Sequence, residues 1–258
     1  MIRGIWDRET VALMLLAAAF PVFVAWVQAD GWYAIGRLIF FLVVAGIWHV
    51  IFMLARAQPP SFAGALTALT IAILAPHDLG IFALLLGTSF GVVMAELAFG
   101  GWGRNVLNPA VVALAFISFG YPASNWPELA VQIGWAAFPA ALIGVLTGVM
   151  SLRLLLGVAV VTVITLYAGV DISETWIAGA VVLVLMVCDP VTASATRLGR
   201  WAYGAFYAAM FVLFTCQWGD AAPIQIAVAA ALLASLAAPL FDEIAISIWL
   251  YRRNRRIG

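Results

Sequence analysis

Two polar segments interrupt an otherwise apolar chain, and both carry groups suited to binding a polar ligand. The distinctive residues of the first segment, 99–110, are three glycines, an arginine and two asparagines: Gly100, Gly101, Gly103, Arg104, Asn105 and Asn108. Glycine lets the backbone approach a ligand closely, and Asn108 followed by Pro109 is typical of a helix start. A helix N-terminus beside Arg104 favours an anionic or electron-rich group, such as a phosphate or an isoalloxazine carbonyl. The alternative is a capped loop that binds nothing.

The second polar segment, 188–200, is denser in hydrogen-bonding groups. It holds an acid, three hydroxyls and two arginines: Asp189, Thr192, Ser194, Thr196, Arg197 and Arg200. Hydroxyls and backbone amides at a broken helix end can hold a polar heterocycle. The alternative is again a capped loop, in which arginines mark the inner membrane surface.

Three isolated polar residues fall in or next to apolar runs, where such residues are costly and frequently functional. His49, close to Gly46, is a candidate proton donor to a quinone or a hydrogen-bond partner for another helix. Glu96 lies at the end of an apolar run and is either an ion-coupling residue or a carboxylate that faces the lipid headgroups. Asp242 follows Pro239 and is either an ion-coupling residue or part of a helix end. Cys188 and Cys216 form no metal-ligand pattern, so no metal site is predicted.

The composition indicates which elements must position these residues. Of 258 residues, 66% are hydrophobic and 9% are charged, whereas soluble domains carry about 25% charged residues. The apolar runs are continuous, which predicts membrane-spanning helices and not a barrel of alternating strands. The net charge of zero gives no indication of nucleic-acid binding.

The apolar runs predict ten spans, several of them short for a membrane helix of about 20 residues. They lie at about 10–29, 33–55, 61–76, 80–98, 106–120, 134–151, 153–170, 175–188, 200–217 and 223–250. The third and eighth end at Pro76 and Pro190, and short segments interrupted by proline are typical of broken helices.

Arginine placement predicts the orientation of these spans. Alternating spans put eleven of the twelve arginines on the side of both termini, and Arg37 alone falls near the other side. Because basic residues favour the cytoplasmic side, we expect a multi-pass protein of the bacterial inner membrane with both termini in the cytoplasm.

A short motif recurs in the two halves of the chain. Ala63-Gly64-Ala65 precedes Pro76, and Ala178-Gly179-Ala180 precedes Pro190 at nearly the same distance. A shift of five spans inverts the second copy, and inverted repeats place a ligand near the membrane midplane. We therefore expect one membrane domain, 1–258, with pseudo-repeats at about 10–120 and 134–250. The alternative is a chance match in a chain rich in alanine and glycine.

Taken together, these motifs resemble the RnfD/NqrB family, whose members are membrane subunits of the Rnf electron transport complex and of the sodium-translocating NADH:quinone oxidoreductase. The resemblance covers essentially the whole chain. The matching segments are Gly87–Glu96, Phe99–Ala110, Tyr121-Pro122, Asp189–Ser194 with Thr196, Gly199 and Tyr203-Gly204, and Ala238–Asp242.

The resemblance implies an all-α fold of ten helices in two inverted repeats, similar to urea transporters. It also implies a flavin, riboflavin or FMN, held by the two polar segments. The implied partners are a cytoplasmic NAD(P)H-linked or iron–sulfur donor, an outer flavoprotein and a quinone near Gly46 and His49. The family usually has a carboxylate where this chain has His49. The acid matching Asp242 is linked in the family to cation movement.

One departure from the family concerns how the flavin is held. The family carries a covalent flavin on threonine in an Asp-x-x-Ser/Thr-Gly-Ala-Thr motif after the fifth span, and residues 121–128 contain no threonine. We therefore predict a non-covalent flavin on an electron-transferring subunit of an oxidoreductase complex. Two alternatives remain: a channel or transporter for a small solute on the same scaffold, or a structural anchor without a redox role.

Overall fold

The computed structural model describes residues 7–57 and 61–257, with side chains through Arg255, and contains helices and no strands in these ranges. The helices are α1 (Arg8–Asp30), α2 (Trp32–Arg56), α3 (Ala63–Leu74), α4 (Ile81–Gly91), α5 (Pro109–Gly120), α6 (Val131–Thr147), α7 (Leu152–Tyr167), α8 (Trp176–Val182), α9 (Arg197–Gln217) and α10 (Pro223–Ile257). Two of them do not end in regular α geometry. A π turn (Val92–Glu96) and a 3₁₀ turn (Leu97–Phe99) extend α4, and a π turn (Leu183–Val187) extends α8.

The chain is an all-helical, multi-pass membrane protein, and each expected span corresponds to one helix. Four segments are long and apolar enough to cross a membrane unaided: α1, α2, α4 with its two turns, and α10. The segments of α3, α5, α6, α7 and α8 are apolar but shorter. The largest boundary difference is in α10. The sequence predicts an end near residue 250, whereas the helix continues through the arginine-rich segment to Ile257.

Helix α3 is a short helix enclosed by the others. Its 12 residues rise about 18 Å, against about 30 Å of bilayer hydrocarbon. Every residue of α3 except Ala65 is buried. The expected break at Pro76 is present, since α3 ends at Leu74 and Ala75 is extended.

Arg37 of α2 closes the broken end of α3. Its guanidinium donates to the carbonyl oxygens of Ala72 at 3.1 Å, Ala75 at 2.7 Å and Pro76 at 3.3 Å. The last carbonyls of a helix have no partner within the helix, and here a buried arginine supplies the donors. This role accounts for the one arginine that departs from the orientation pattern.

Several helix contacts of the first five helices recur among the second five, although the close contact of α2 with α3 has no counterpart of similar extent between α7 and α8. Contacts α1–α3, α2–α4, α3–α5 and α4–α5 recur as α6–α8, α7–α9, α8–α10 and α9–α10, while α1 packs on α6 and α5 on α10. Prolines follow the same scheme, because Pro190 lies 114 positions after Pro76 and Pro223 lies 114 positions after Pro109. Pro109 and Pro223 each begin a helix. The limits of the two repeats remain a prediction.

Helices α7 and α9 meet through glycines, which predicts a stability effect. A Cβ on Gly204 would overlap the carbonyl group of Leu154, whereas a Cβ on Gly36 would have no atom within 4 Å. We expect Gly204→Ala to lower the free energy of unfolding by about 1–3 kcal/mol, as overpacking does. The control Gly36→Ala should leave it unchanged or slightly higher. Unfolding of the detergent-solubilised chain measures both, and equal stabilities would contradict the close packing.

Candidate functional site

The two polar segments meet where α5 begins and the α8 segment ends. Asn108 caps α5 as expected: its Oδ1 accepts from the N–H groups of Ala110 at 2.9 Å and Val111 at 3.4 Å. Its Nδ2 donates to Oδ2 of Asp189 at 3.2 Å, across 81 positions of sequence. A direct hydrogen bond therefore joins the two motifs, and with them the two halves of the chain.

Asp189 is the centre of this contact. Its Oδ2 also accepts from the Thr192 hydroxyl at 3.3 Å, and its Oδ1 accepts from the Val191 N–H at 3.0 Å. Asp189 and Thr192 are each 4% exposed and Asn108 is 6% exposed. We call Asn108, Asp189 and Thr192 the junction cluster.

Asp242 of α10 organises the rest of the second segment. Its Oδ1 accepts from the Ser194 hydroxyl at 2.5 Å and from the Thr196 N–H and hydroxyl at 2.8 and 2.7 Å. Its Oδ2 accepts from the Ala195 N–H at 2.9 Å. Four donors on one carboxylate favour the helix-end interpretation of Asp242, because Thr196 in turn caps α9. Ion coupling at Asp242 stays a prediction.

The glycine-rich loop forms its own structure beside the junction cluster. Gly100, Gly101 and Gly103 have φ values of 106°, 90° and 96°, a left-handed backbone that favours glycine. Asn105 folds the loop, since its side chain accepts from the Gly103 N–H at 3.1 Å and donates to the Leu107 carbonyl at 3.2 Å. The Arg104 side chain is exposed beside Gly100.

The structure thus sorts the expected flavin residues into three neighbouring sets. Asn108, Asp189 and Thr192 are in contact, and Ser194 and Thr196 surround Asp242. The third set is the loop itself, which holds Gly100, Gly101, Gly103, Arg104 and Asn105. Sequence reasoning missed Arg8, whose guanidinium donates to the Trp102 carbonyl at 3.1 Å and fixes the loop.

A small cavity adjoins the second segment. It has a volume of about 80 Å³ and lies between the α6–α7 turn and the residues Cys188, Pro190, Ser194 and Arg200. The polar side chains of its lining are Ser151, Ser194 and Arg200, which are hydrogen-bonding groups of the kind that an isoalloxazine requires. The volume does not match, because ligand pockets measure about 300–1,000 Å³. In this conformation the cavity alone does not hold a flavin ring.

A larger cavity of about 330 Å³ lies between α2 and α3. Both residues expected near a quinone, Gly46 and His49, line it together with Gly64 of the repeated motif. A Cβ on Gly64 would lie 2.8 Å from Cε1 of His49, so the glycine makes room for the imidazole. The remaining lining residues are Leu42, Ala45, Val50, Met53, Ser61 and Ala65.

His49 hydrogen-bonds Glu96 at the rear of this cavity. Nε2 of His49 lies 3.2 Å from Oε1 of Glu96, and Nδ1 lies 2.8 Å from the Ala45 carbonyl oxygen. Glu96 is fully buried. The alternative in which Glu96 faces the headgroups is therefore wrong, since the π turn at Val92–Glu96 directs its carboxylate towards α2. Ion coupling at Glu96 stays a prediction.

Comparisons with known proteins agree with these motifs. A model of the NQR2, RnfD, RnfE family matches residues 2–141. The chain is 29% identical to a subunit of the Na(+)-translocating NADH-quinone reductase of Klebsiella pneumoniae (strain 342), over 88% of this chain and 72% of the relative. The corresponding reductase subunit from Neisseria meningitidis serogroup B is 31% identical, over 83% of this chain and 67% of the relative.

Proposed function

This chain belongs to the NQR2, RnfD, RnfE family, and we propose that it is a membrane subunit of a multi-subunit redox complex that moves electrons across the bilayer. The relatives named above are subunits of NADH-quinone reductases. The observation that carries the proposal is the junction cluster, in which a buried hydrogen bond joins the polar motifs of the two halves. Two five-helix inverted repeats, at about 10–120 and 134–250, would place this contact at their interface.

The electron carrier proposed for this chain is a non-covalent flavin, riboflavin or FMN, bound near the junction cluster. A flavin supplies redox chemistry that no side chain provides, while the protein orients and binds it. Asn108, Thr192 and Ser194 offer the hydrogen-bonding groups, and the nearby Arg200 uses its Nε on the Ser194 carbonyl at 3.1 Å. Because the adjoining cavity is smaller than the ring, we propose that a neighbouring subunit completes the flavin site.

The orientation follows from the arginines of the same end of the bundle. Arg8, Arg104 and Arg200 lie near the glycine-rich loop and the second polar segment, so we propose that this end faces the cytoplasm. A cytoplasmic NAD(P)H-linked or iron–sulfur donor would then dock there, and an outer flavoprotein would accept electrons on the opposite side. The membrane would be the bacterial inner membrane.

The larger cavity is the proposed quinone site of this subunit. Its volume of about 330 Å³ falls within the usual range for ligand pockets. Its lining is mainly apolar, and the imidazole of His49 provides a polar group for the carbonyl of a quinone.

Flavin content of the purified complex tests the central claim. We expect the preparation to be yellow and to release its flavin on acid extraction. No flavin should remain covalently attached to this chain. A colourless, flavin-free complex would overturn the proposal. If the protein is free of flavin and carries a solute across the membrane of liposomes, that result would instead support a transporter, the alternative function on this scaffold.

Asn108→Ala gives a residue-level prediction for the flavin site. The change removes both the α5 cap and the amide that reaches Asp189, so we expect flavin content to fall at least about tenfold, equivalent to about 1.4 kcal/mol. The matched control is Asn125→Ala, in the loop that contacts Asp78 at the other end of the bundle. Flavin extracted per chain and electron flow measure the effect. Normal electron flow in the Asn108 variant would favour a structural anchor.

A further inference from the structure

The protons on the His49–Glu96 pair can be counted from its hydrogen bonds. The Ala45 carbonyl oxygen can only accept, so Nδ1 of His49 carries a hydrogen. A neutral ring then has a bare Nε2, which cannot share a hydrogen bond with an ionised Glu96. The contact between Nε2 and Oε1 therefore requires one more proton, on Glu96 or on Nε2. In either case the pair has no net charge.

The surroundings stabilise the proton-loaded form. Glu96 is fully buried, and its Oε2 has no hydrogen-bond partner among the described residues. A carboxylate left unpaired in such a place would be strongly destabilised. The nearby Arg8 is already bonded to Glu9 and the Trp102 carbonyl.

The pair opens onto a cavity that otherwise offers few polar groups. His49 lines the 330 Å³ space, and Ser61 is the other polar side chain of the lining. The Ser61 hydroxyl donates to Glu9 at 3.1 Å. A ligand with a carbonyl head therefore contacts one group that carries a proton, His49, and the buried Glu96 lies behind it.

We propose that Glu96 and His49 form a proton relay that delivers one proton to a quinone-type ligand in this cavity, an inference that rests on the proposed redox function. The imidazole exchanges the Nδ1 hydrogen bond to the Ala45 carbonyl for one to the ligand oxygen and gives the ligand that proton. It keeps the second proton of the pair at Nε2, which leaves Glu96 as a carboxylate. The electron comes from the reduced flavin or iron–sulfur group of the complex. Each reduced carbonyl oxygen thus gains one electron and one proton, and the pair reloads from water at the adjacent membrane surface.

The first test counts the proton and needs no activity. The chain has two histidines, so His77→Gln with ¹⁵N-histidine labelling leaves His49 as the single imidazole observed by NMR. We expect either two protonated ring nitrogens, or a protonated Nδ1 together with a carboxylic-acid infrared band that disappears in Glu96→Gln. A bare Nε2 beside an ionised Glu96, or a proton on Nε2 with a bare Nδ1, would overturn the proposal.

The second test follows reduction of a short-chain quinone by the whole complex in a single turnover. Glu96→Gln and His49→Gln should each slow reduction about 10²–10⁴-fold, the range for a general acid, and the double variant should be no slower. Leu54→Met, an exposed position of the same helix outside the cavity lining, should retain the normal rate. Unchanged rates in the Glu96 and His49 variants would refute the relay and leave the redox function standing. A wild-type complex that reduces no quinone would refute the proposed quinone site, whatever the proton count.

Discussion

Arg37→Met is expected to lower the free energy of unfolding by about 3 kcal/mol or more. The substitution leaves three carbonyl oxygens at the end of α3, those of Ala72, Ala75 and Pro76, without their donor. Each unsatisfied buried acceptor costs about 1–3 kcal/mol. Part of this cost is offset because methionine requires no buried charge. The guanidinium also lies 5.6 Å from the Phe41 ring centroid, and that cation–π contact is lost as well.

Unfolding of the detergent-solubilised protein measures the effect of Arg37, and two further variants sharpen the comparison. Arg37→Lys keeps the charge but has one ammonium in place of a planar fork, so we expect an intermediate loss. Arg56→Met is the control, because Arg56 is exposed. Among the described residues it donates a long bond to the Ala98 carbonyl at 3.4 Å and lies 5.3 Å from the Phe52 ring centroid. We expect the control to change stability by less than about 0.5 kcal/mol. An equally small change for Arg37→Met would show that α3 does not depend on this cap.

Helix positions could be predicted from the sequence because local signals specify them. Continuous apolar runs require helices in a membrane, and Asn108 before Pro109 marks the start of α5 by the chemistry of a single turn. The break near Pro76 is equally local, since proline cannot continue the hydrogen-bond ladder of α3. Such features need no knowledge of which helices are neighbours.

The contacts that build the candidate site depend on tertiary structure and were harder to predict. The direction of Glu96 follows from a π turn, whose extra residue changes which side of the helix a side chain faces. No sequence signal distinguishes that turn from a regular helix end. Arg37 reaches carbonyls 35–39 positions away, so its role depends on how α2 packs against α3. The contact of Asn108 with Asp189, 81 positions apart, likewise depends on how the two halves pack.

Asp189→Ala is expected to cause the largest combined loss, in stability and in flavin content. The substitution removes the acceptor for three donors at once: the Asn108 amide, the Thr192 hydroxyl and the Val191 N–H. With about 1–3 kcal/mol for each unsatisfied buried group, we expect a destabilisation of about 3 kcal/mol or more. Because the same groups flank the proposed flavin, extracted flavin per chain should fall below that of Asn108→Ala.

Asp189→Asn separates the charge of this carboxylate from its shape. An asparagine has one acceptor oxygen and one amino group, so either orientation places a donor against a donor, at Val191 or at Asn108. We therefore expect a loss between wild type and Asp189→Ala. Asp220→Ala, at an exposed acid in the α9–α10 loop, is the control and should change neither stability nor flavin.

In a double-mutant cycle, Asn108→Ala should cost less in the Asp189→Ala background than in wild type, because the two residues share one bond. Strict additivity would mean that the hydrogen bond between the halves contributes nothing to folding, and the junction cluster would then lose its claim to organise the site.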